Sequence, residues 1–152
     1  MVAALANITA RSGVDTVMSN WNNGIIDEFR SNDGEVGGVF AGKPLLLLHH
    51  KGARTGTERV SPLMYQQVGD SYAVFASKGG ADTNPDWYHN LLANPDATIE
   101  LGADKVDVRA RVAEGDEQDT IWERQKREFP QFAGYEQKTS RDQIPVIVLD
   151  PA

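Results

Sequence analysis

The chain contains no cysteine. Disulfides, thiolate nucleophiles and cysteine-based metal centres are thereby excluded. It also lacks a long apolar run. The longest, Pro44-Leu45-Leu46-Leu47-Leu48, is far too short to span a bilayer. Met1 to Ala10 carries neither the basic start nor the long apolar core of a secretory signal, so a cytoplasmic location is expected, peripheral to the inner face of the cell membrane at most. Positive charge is in deficit: 15 Lys and Arg against 22 Asp and Glu leave a net charge of −7. That balance speaks against nucleic acid as a partner. The three histidines offer no metal site. His49 and His50 are adjacent on a strand and face opposite sides, and His89 completes no ligand spacing. All three read as structural. There is no internal repeat, low-complexity tract or dividing linker. A chain of 152 residues, 40% hydrophobic and 24% charged, fits one ordinary globular domain. We take residues 1–12 as an N-terminal tail and residues 13–152 as a single domain.

What the chain does contain is unevenly placed. Residues 41–80 hold five basic groups (Lys43, Lys51, Arg54, Arg59, Lys78) and two acidic ones (Glu58, Asp70), whereas the other 112 residues hold ten and twenty. One basic stretch in an acidic protein suggests a small anionic ligand. The element order reads as follows. Residues 13–30 form an amphipathic helix through Val14, Val17, Met18, Trp21, Ile25 and Phe29. Leu45 to His50 is a buried strand. Arg59 to Gln67 is a second, in which Pro62 implies an edge or a bulge. A hairpin turn at Val68-Gly69-Asp70 leads to a third strand, Ser71 to Ala76. Asn84-Pro85 starts a helix, with Asn84 as cap and Pro85 at the first helical position, and Asn94-Pro95 ends it. Thr98 to Leu101 and Val106 to Val112 form a hairpin across Gly102-Ala103-Asp104. Asp116 to Phe129 is a helix, Pro130 to Gln143 a loop, and Val146 to Leu149 the closing strand. Hairpin connections without a βαβ repeat predict a mostly antiparallel sheet. A closed or split barrel with helices outside is the simplest solution, because closure removes exposed edges.

Three groups of residues could carry chemistry. Lys51-Gly52-Ala53-Arg54-Thr55-Gly56-Thr57-Glu58-Arg59 joins the first two strands. Its glycines let backbone N–H groups approach a ligand, and its cations suit phosphate or carboxylate oxygens. It is not a P-loop, since no Gly-Lys-Ser/Thr and no helix follow. Ser77-Lys78-Gly79-Gly80 precedes a helix start and is a second candidate anion site. Trp87, Tyr88, Phe132 and Tyr135 are aromatic. Trp87 and Tyr88 read as core at least as well as site, whereas Tyr135, beside Gly134 in the loop, could present its hydroxyl to a substrate. Ser77 has no His and Asp partners in pattern, so hydrolysis gains no support.

Taken together, Gly52-Ala53-Arg54-Thr55-Gly56, Arg59-Val60-Ser61-Pro62-Leu63, Ala76-Ser77-Lys78-Gly79-Gly80 and Asn84-Pro85-Asp86-Trp87-Tyr88 resemble the deazaflavin-dependent nitroreductase family of actinobacteria. Asn32-Asp33-Gly34, Asn94-Pro95 and Ile144-Pro145-Val146 fit as well, so the resemblance covers roughly residues 20–150. It implies an α+β fold, a split β-barrel of the FMN-binding type with flanking helices. It also implies an oxidoreductase that passes hydride from reduced coenzyme F420 to quinones, activated enones or some nitro compounds. By position, Arg54, Thr55, Gly56, Arg59 and Lys78 would hold the cofactor's phosphate and oligoglutamate tail. Ser61, Pro62, Leu63, Ala76, Ser77, Gly79 and Gly80 would line the deazaflavin, with Trp87 against it. Met64, Trp87, Phe132 and Tyr135 would face the small-molecule acceptor, and Tyr135 or Ser77 would polarise it or donate a proton. Where the family carries a basic pair in the first turn, this chain has Ala53-Arg54. Two rivals stay open here: a non-catalytic F420 carrier, and an FMN-dependent reductase on the same barrel. The acidic polar face of the first helix (Asp15, Asp27 and Glu28, beside Arg30) predicts weak or no membrane association. Its apolar face should pack on the barrel or on a second subunit, which leaves a homodimer open.

Overall fold

The computed structural model describes the backbone of residues 13–152 and the side chains from residue 22 onward, Val39 excepted. The proposed tail lies outside the described residues. In chain order the elements are α1 (Gly13–Ser31), β1 (Leu45–Lys51), β2 (Glu58–Val68), β3 (Ser71–Phe75), α2 (Asp86–Ala93), β4 (Asp96–Leu101), β5 (Asp104–Val112), α3 (Gly115–Glu128), α4 (Gln131–Lys138) and β6 (Val146–Pro151). The six strands close into a barrel in the order β1-β2-β3-β6-β5-β4, with every neighbouring pair antiparallel. The expected split-barrel class with flanking helices is therefore the observed one.

Alternation along the strands builds three apolar layers. Leu46 and Leu48 of β1 point into the barrel with Val74, Ile99, Val108, Ile147 and Leu149, and Trp87 and Leu91 of α2 join this cluster. Leu45 and Leu47 point outward and are covered by Ile25, Ile26 and Phe29 of α1. The run of four leucines is thus buried on both faces, which explains its lack of alternation. Each such burial contributes about 1.5–3 kcal/mol. Ala73, Phe75, Val146 and Val148 face outward under Ile121 and Trp122 of α3 and Phe132 of α4. At its last turn α1 is pinned by Arg30, whose Nε and Nη2 donate to the two Glu100 carboxylate oxygens at 3.2 and 2.7 Å.

Two local expectations are corrected. The stretch read as a loop, residues 130–143, contains the helix α4. Gly134 lowers its intrinsic propensity by about 1 kcal/mol, and tertiary packing overrides this. Phe132 packs edge-on to Phe75 at 5.6 Å and to Trp122 at 6.1 Å between ring centroids. Glu136 accepts hydrogen bonds from Trp122 Nε1 and from Lys126. The second correction is the start of α2. Pro85 itself is the cap residue, in extended conformation, and no side chain caps the helix. The Asn84 side-chain oxygen Oδ1 instead accepts from Arg141.

Candidate functional site

The barrel opens along one edge of β2. Residues 58–64 pair with β1, while only residues 65–68 pair with β3, the ladder ending at Tyr65 and Val74. Tyr65 N–H donates toward the β1 side, to Pro44 carbonyl. By antiparallel alternation the even-numbered residues Val60 and Pro62 turn their backbone edges the other way, into the opening. Pro62 sits where its missing N–H costs no ladder bond, as its sequence position suggested.

A cavity of about 160 Å³ lies at this opening, lined by Phe40, Pro62, Leu63, Met64, Phe75, Ser77, Gly79, Gln131, Phe132 and Tyr135. It brings together seven of the residues singled out in the sequence: Pro62, Leu63, Met64, Ser77, Gly79, Phe132 and Tyr135. Phe132 and Tyr135 meet at 5.2 Å between centroids in an edge arrangement. The Tyr135 and Ser77 hydroxyls have no hydrogen-bond partner among the described residues, so both remain available to a ligand. Phe40, Phe75 and Gln131 complete the lining. Sequence reading missed them, because no pattern joins residues so far apart in the chain.

The cationic turns flank the open stretch of β2: residues 52–57 lead into it, and Lys78 lies between the cavity-lining Ser77 and Gly79. Arg54, Thr55, Gly56 and Arg59 are all exposed. The turn is closed by Gly56 N–H to Gly52 carbonyl, Gly52 N–H to Thr57 carbonyl and Thr57 N–H to Thr55 Oγ1. Among the described residues neither Arg54, Arg59 nor Lys78 has a carboxylate partner. Unpaired cations on an acidic protein hold a positive field for an anion. Lys78 Nζ donates to Thr83 Oγ1 at 3.2 Å. Its backbone, with those of Gly79 and Gly80, lies in the left-handed region at φ +48°, +63° and +85°. For Lys78 that conformation costs about 1–2 kcal/mol, strain that the surroundings must impose.

Arg141 imposes it. Its guanidinium donates to the carbonyls of Ala76 and Ser77, both at 2.8 Å, to Asn84 Oδ1 and to Thr139 Oγ1. All four acceptors are neutral, and burial lowers the Arg141 pKa. Nothing in the local sequence marked this arginine. Three candidates lie outside the lining of the cavity. Ala76 is fully buried, with its N–H given to Pro145. Gly80 is buried against the backbone of Tyr135. Trp87, expected against the ring and the acceptor, is 6% exposed inside the barrel cluster. Ser61 lies one residue before the lining and receives a hydrogen bond from His50.

A larger hollow of about 740 Å³ lies between α1 and residues 32–44, with Glu28, Glu35 and Lys43 as its charged groups. Its acidic balance is wrong for an anionic ligand, so size does not make it the site. Among the described residues no cluster of His, Asp and Glu could hold a metal.

Comparison with known proteins places this arrangement among the split-barrel oxidoreductases that use a reduced deazaflavin. The model of the F420H2-dependent quinone reductase family matches residues 23–151, and the chain belongs to that family. An F420H2-dependent quinone reductase of Mycobacterium tuberculosis is 38% identical over 125 residues, 80% of this chain and 83% of that protein. A solved F420-H2 dependent reductase is 37% identical with a TM-score of 0.64, over 70% of this chain and 94% of that one. A second solved structure, described as a domain-swapped dimer, is 34% identical with a TM-score of 0.66, over 91% and 100%. The site fits the family's cofactor on its own chemistry: an open backbone edge beside an apolar cavity, with Arg54, Arg59 and Lys78 in the flanking turns and without carboxylate partners among the described residues.

Proposed function

We propose that this protein reduces quinone-type acceptors with F420, the cofactor lying along the open edge of β2 and the acceptor in the aromatic cavity. The observation that carries the proposal is the change of partner along β2, which leaves one edge of residues 58–64 open between the Lys51–Arg59 turn and the cavity lined by Pro62, Leu63 and Met64. When bound, reduced F420 supplies the hydride. The chain's own residues do the rest. Arg54, Thr55, Gly56, Arg59 and Lys78 hold the phosphate and carboxylates of the tail. Ser61, Pro62, Leu63, Ser77 and Gly79 border the ring, with Ala76, Gly80 and Trp87 behind them. Met64, Phe132 and Tyr135 face the acceptor, together with Phe40 and Phe75. The cavity is smaller than the roughly 300–1,000 Å³ of pockets that enclose a whole ligand, so it has room for the acceptor's ring system alone, while the deazaflavin lies along the edge of β2 with its tail outside the cavity. Apolar walls exclude water from the reacting atoms, and the free hydroxyl of Tyr135 or Ser77 polarises the acceptor oxygen or gives it a proton. Activated enones and nitro compounds belong to the same class of electron-poor acceptors.

The open cavity beside the edge favours turnover over a sealed carrier. Three cations suit a long anionic tail better than the single phosphate of FMN. The test is menadione reduction by the purified protein. Reduced F420 should support it, whereas NADPH with added FMN should not. Equal rates with NADPH and FMN would sink the reading. A homodimer belongs to the same proposal, supported by the solved relative described as a domain-swapped dimer. Light scattering at micromolar concentration should give twice the chain mass, and a monomer would refute it.

A further inference from the structure

Behind the cationic turn runs a buried polar chain. His50 is 4% exposed and Asn90 7%. Ala53 N–H donates to Asn90 Oδ1 at 2.9 Å. That bond fixes which way the amide points. Asn90 Nδ2 then donates to His50 Nδ1, also at 2.9 Å. This nitrogen must be bare, so in the neutral ring the proton sits on Nε2, which faces Ser61 Oγ at 2.9 Å. The donors and acceptors therefore run in one direction, from the turn through α2 and β1 to β2. Ser61 oxygen accepts from His50, which leaves its own proton free to donate elsewhere beside the open edge.

The turn depends on this chain. Its internal bonds close the loop but do not tie it to the fold. Among the described residues, Ala53 to Asn90 is the hydrogen bond that joins residues 53–57 to another element. We propose that His50 and Asn90 are positioning residues for cofactor binding, holding the Ala53-Arg54 turn and the Ser61 hydroxyl in the shape that F420 meets without touching it themselves. The proposal rests on the functional reading above. Its physical basis is preorganisation: an exposed turn that is already ordered does not lose that freedom again when a ligand binds. Neutrality of the ring suits the role. Burial first, then the Arg59 charge, push the His50 pKa down from 6.5 to about 4, with a smaller push from His49 and opposition from Asp86 and Glu58. At neutral pH the Nδ1 acceptor is therefore intact.

The experiment compares wild type with His50→Leu, Asn90→Leu and His50→Gln by F420 fluorescence titration, turnover at saturating cofactor, and amide hydrogen exchange at Ala53. Each leucine variant should weaken F420 binding about tenfold, as loss of one buried hydrogen bond implies. Turnover at saturation should hold, and Ala53 should exchange faster. Gln can accept from Asn90 and donate to Ser61, so His50→Gln should restore affinity to within about threefold, a margin of under 1 kcal/mol. Leucine variants that are folded and bind F420 like wild type would overturn the proposal. So would variants that keep affinity and lose turnover. Should a leucine variant fail to fold, His50→Gln and Asn90→Ser carry the comparison. Asn90→Ser leaves a side chain too short to reach both Ala53 and His50, and unchanged affinity there would also overturn it. If wild type binds no F420, the functional reading falls instead, and Ala53 exchange by itself decides whether the chain orders the turn.

Discussion

Arg54 and Arg59 carry the residue-scale test of the proposed site. Both are exposed and without a carboxylate partner among the described residues, and neither lines the cavity. In the proposed tail-holding role their contacts would be equal in the ground and transition states, raising affinity without raising turnover at saturation. Arg54→Ala should weaken F420 binding roughly ten- to a hundredfold and leave saturated turnover unchanged. Wild-type affinity should fall with added salt, since exposed charges are screened. Normal binding with slow turnover in a titration of Arg54→Ala would place its guanidinium near the reacting atoms instead. Tyr135→Phe should do the reverse, sparing cofactor affinity and changing acceptor kinetics. Two further residues set the response to acid. The Arg30 hydrogen bonds, opposed by burial and aided by His49, hold the Glu100 carboxyl down at about 2 against an ordinary 4.5. A depressed carboxyl stabilises the fold above its unfolded value, and the contribution is lost as pH falls from about 4.5 toward 2. His50 acts at higher pH. Between 6.5 and about 4 the unfolded chain binds a proton that the buried ring refuses, so stability declines across that window. Urea midpoints against pH should show the upper decline in wild type and in Glu100→Gln, but not in His50→Gln. A decline of equal size in all three would refute the assignment.

At the scale of elements, the site is assembled by two short segments gripping each other. The Ser77–Gly80 turn packs on α4, and a Cβ added at Gly80 would lie 3.0 Å from the Tyr135 carbonyl oxygen and 3.1 Å from its Cα. The same residue has φ +85°. Gly80→Ala should therefore cost about 1–2 kcal/mol of stability from backbone conformation alone, and it should push α4 outward. Because α4 carries Phe132 and Tyr135, the functional effect should be a raised acceptor KM with F420 affinity close to wild type. Thermal melts together with steady-state kinetics check both parts. An unchanged KM would show that the turn does not set the position of α4. The helix matters here more than its length suggests, since it converts two aromatic residues of an apparent loop into a wall at fixed distance from β2.

At the scale of the whole molecule, closure decides what is exposed. No helix among the described residues is long and apolar enough to cross a membrane. The described apolar face of α1, Ile25, Ile26 and Phe29, is spent against Leu45 and Leu47, while Trp21 has its side chain outside the described residues. We predict no quantitative pelleting with vesicles rich in phosphatidylglycerol at physiological salt. Pelleting would mean that α1 leaves the barrel or that its earlier turns bind lipid. The sequence by itself determined the strands, the hairpins at Gly69-Asp70 and Gly102-Ala103, and the two cationic turns. These are local matters, governed by periodicity, turn chemistry and charge. It also determined the family, through motifs whose order is specific even where each alone is weak. Only the tertiary structure decided that residues 131–138 are helical, because their stability comes from Phe75 and Trp122 rather than from propensity. Only it showed the open edge of β2, which depends on where one ladder ends and another begins. And only it joined Arg141 to Ala76 and Ser77, or Ala53 to Asn90 and His50. Hydrogen bonds between residues far apart in the chain leave no period and no spacing to read, because their partners are chosen by the closed barrel.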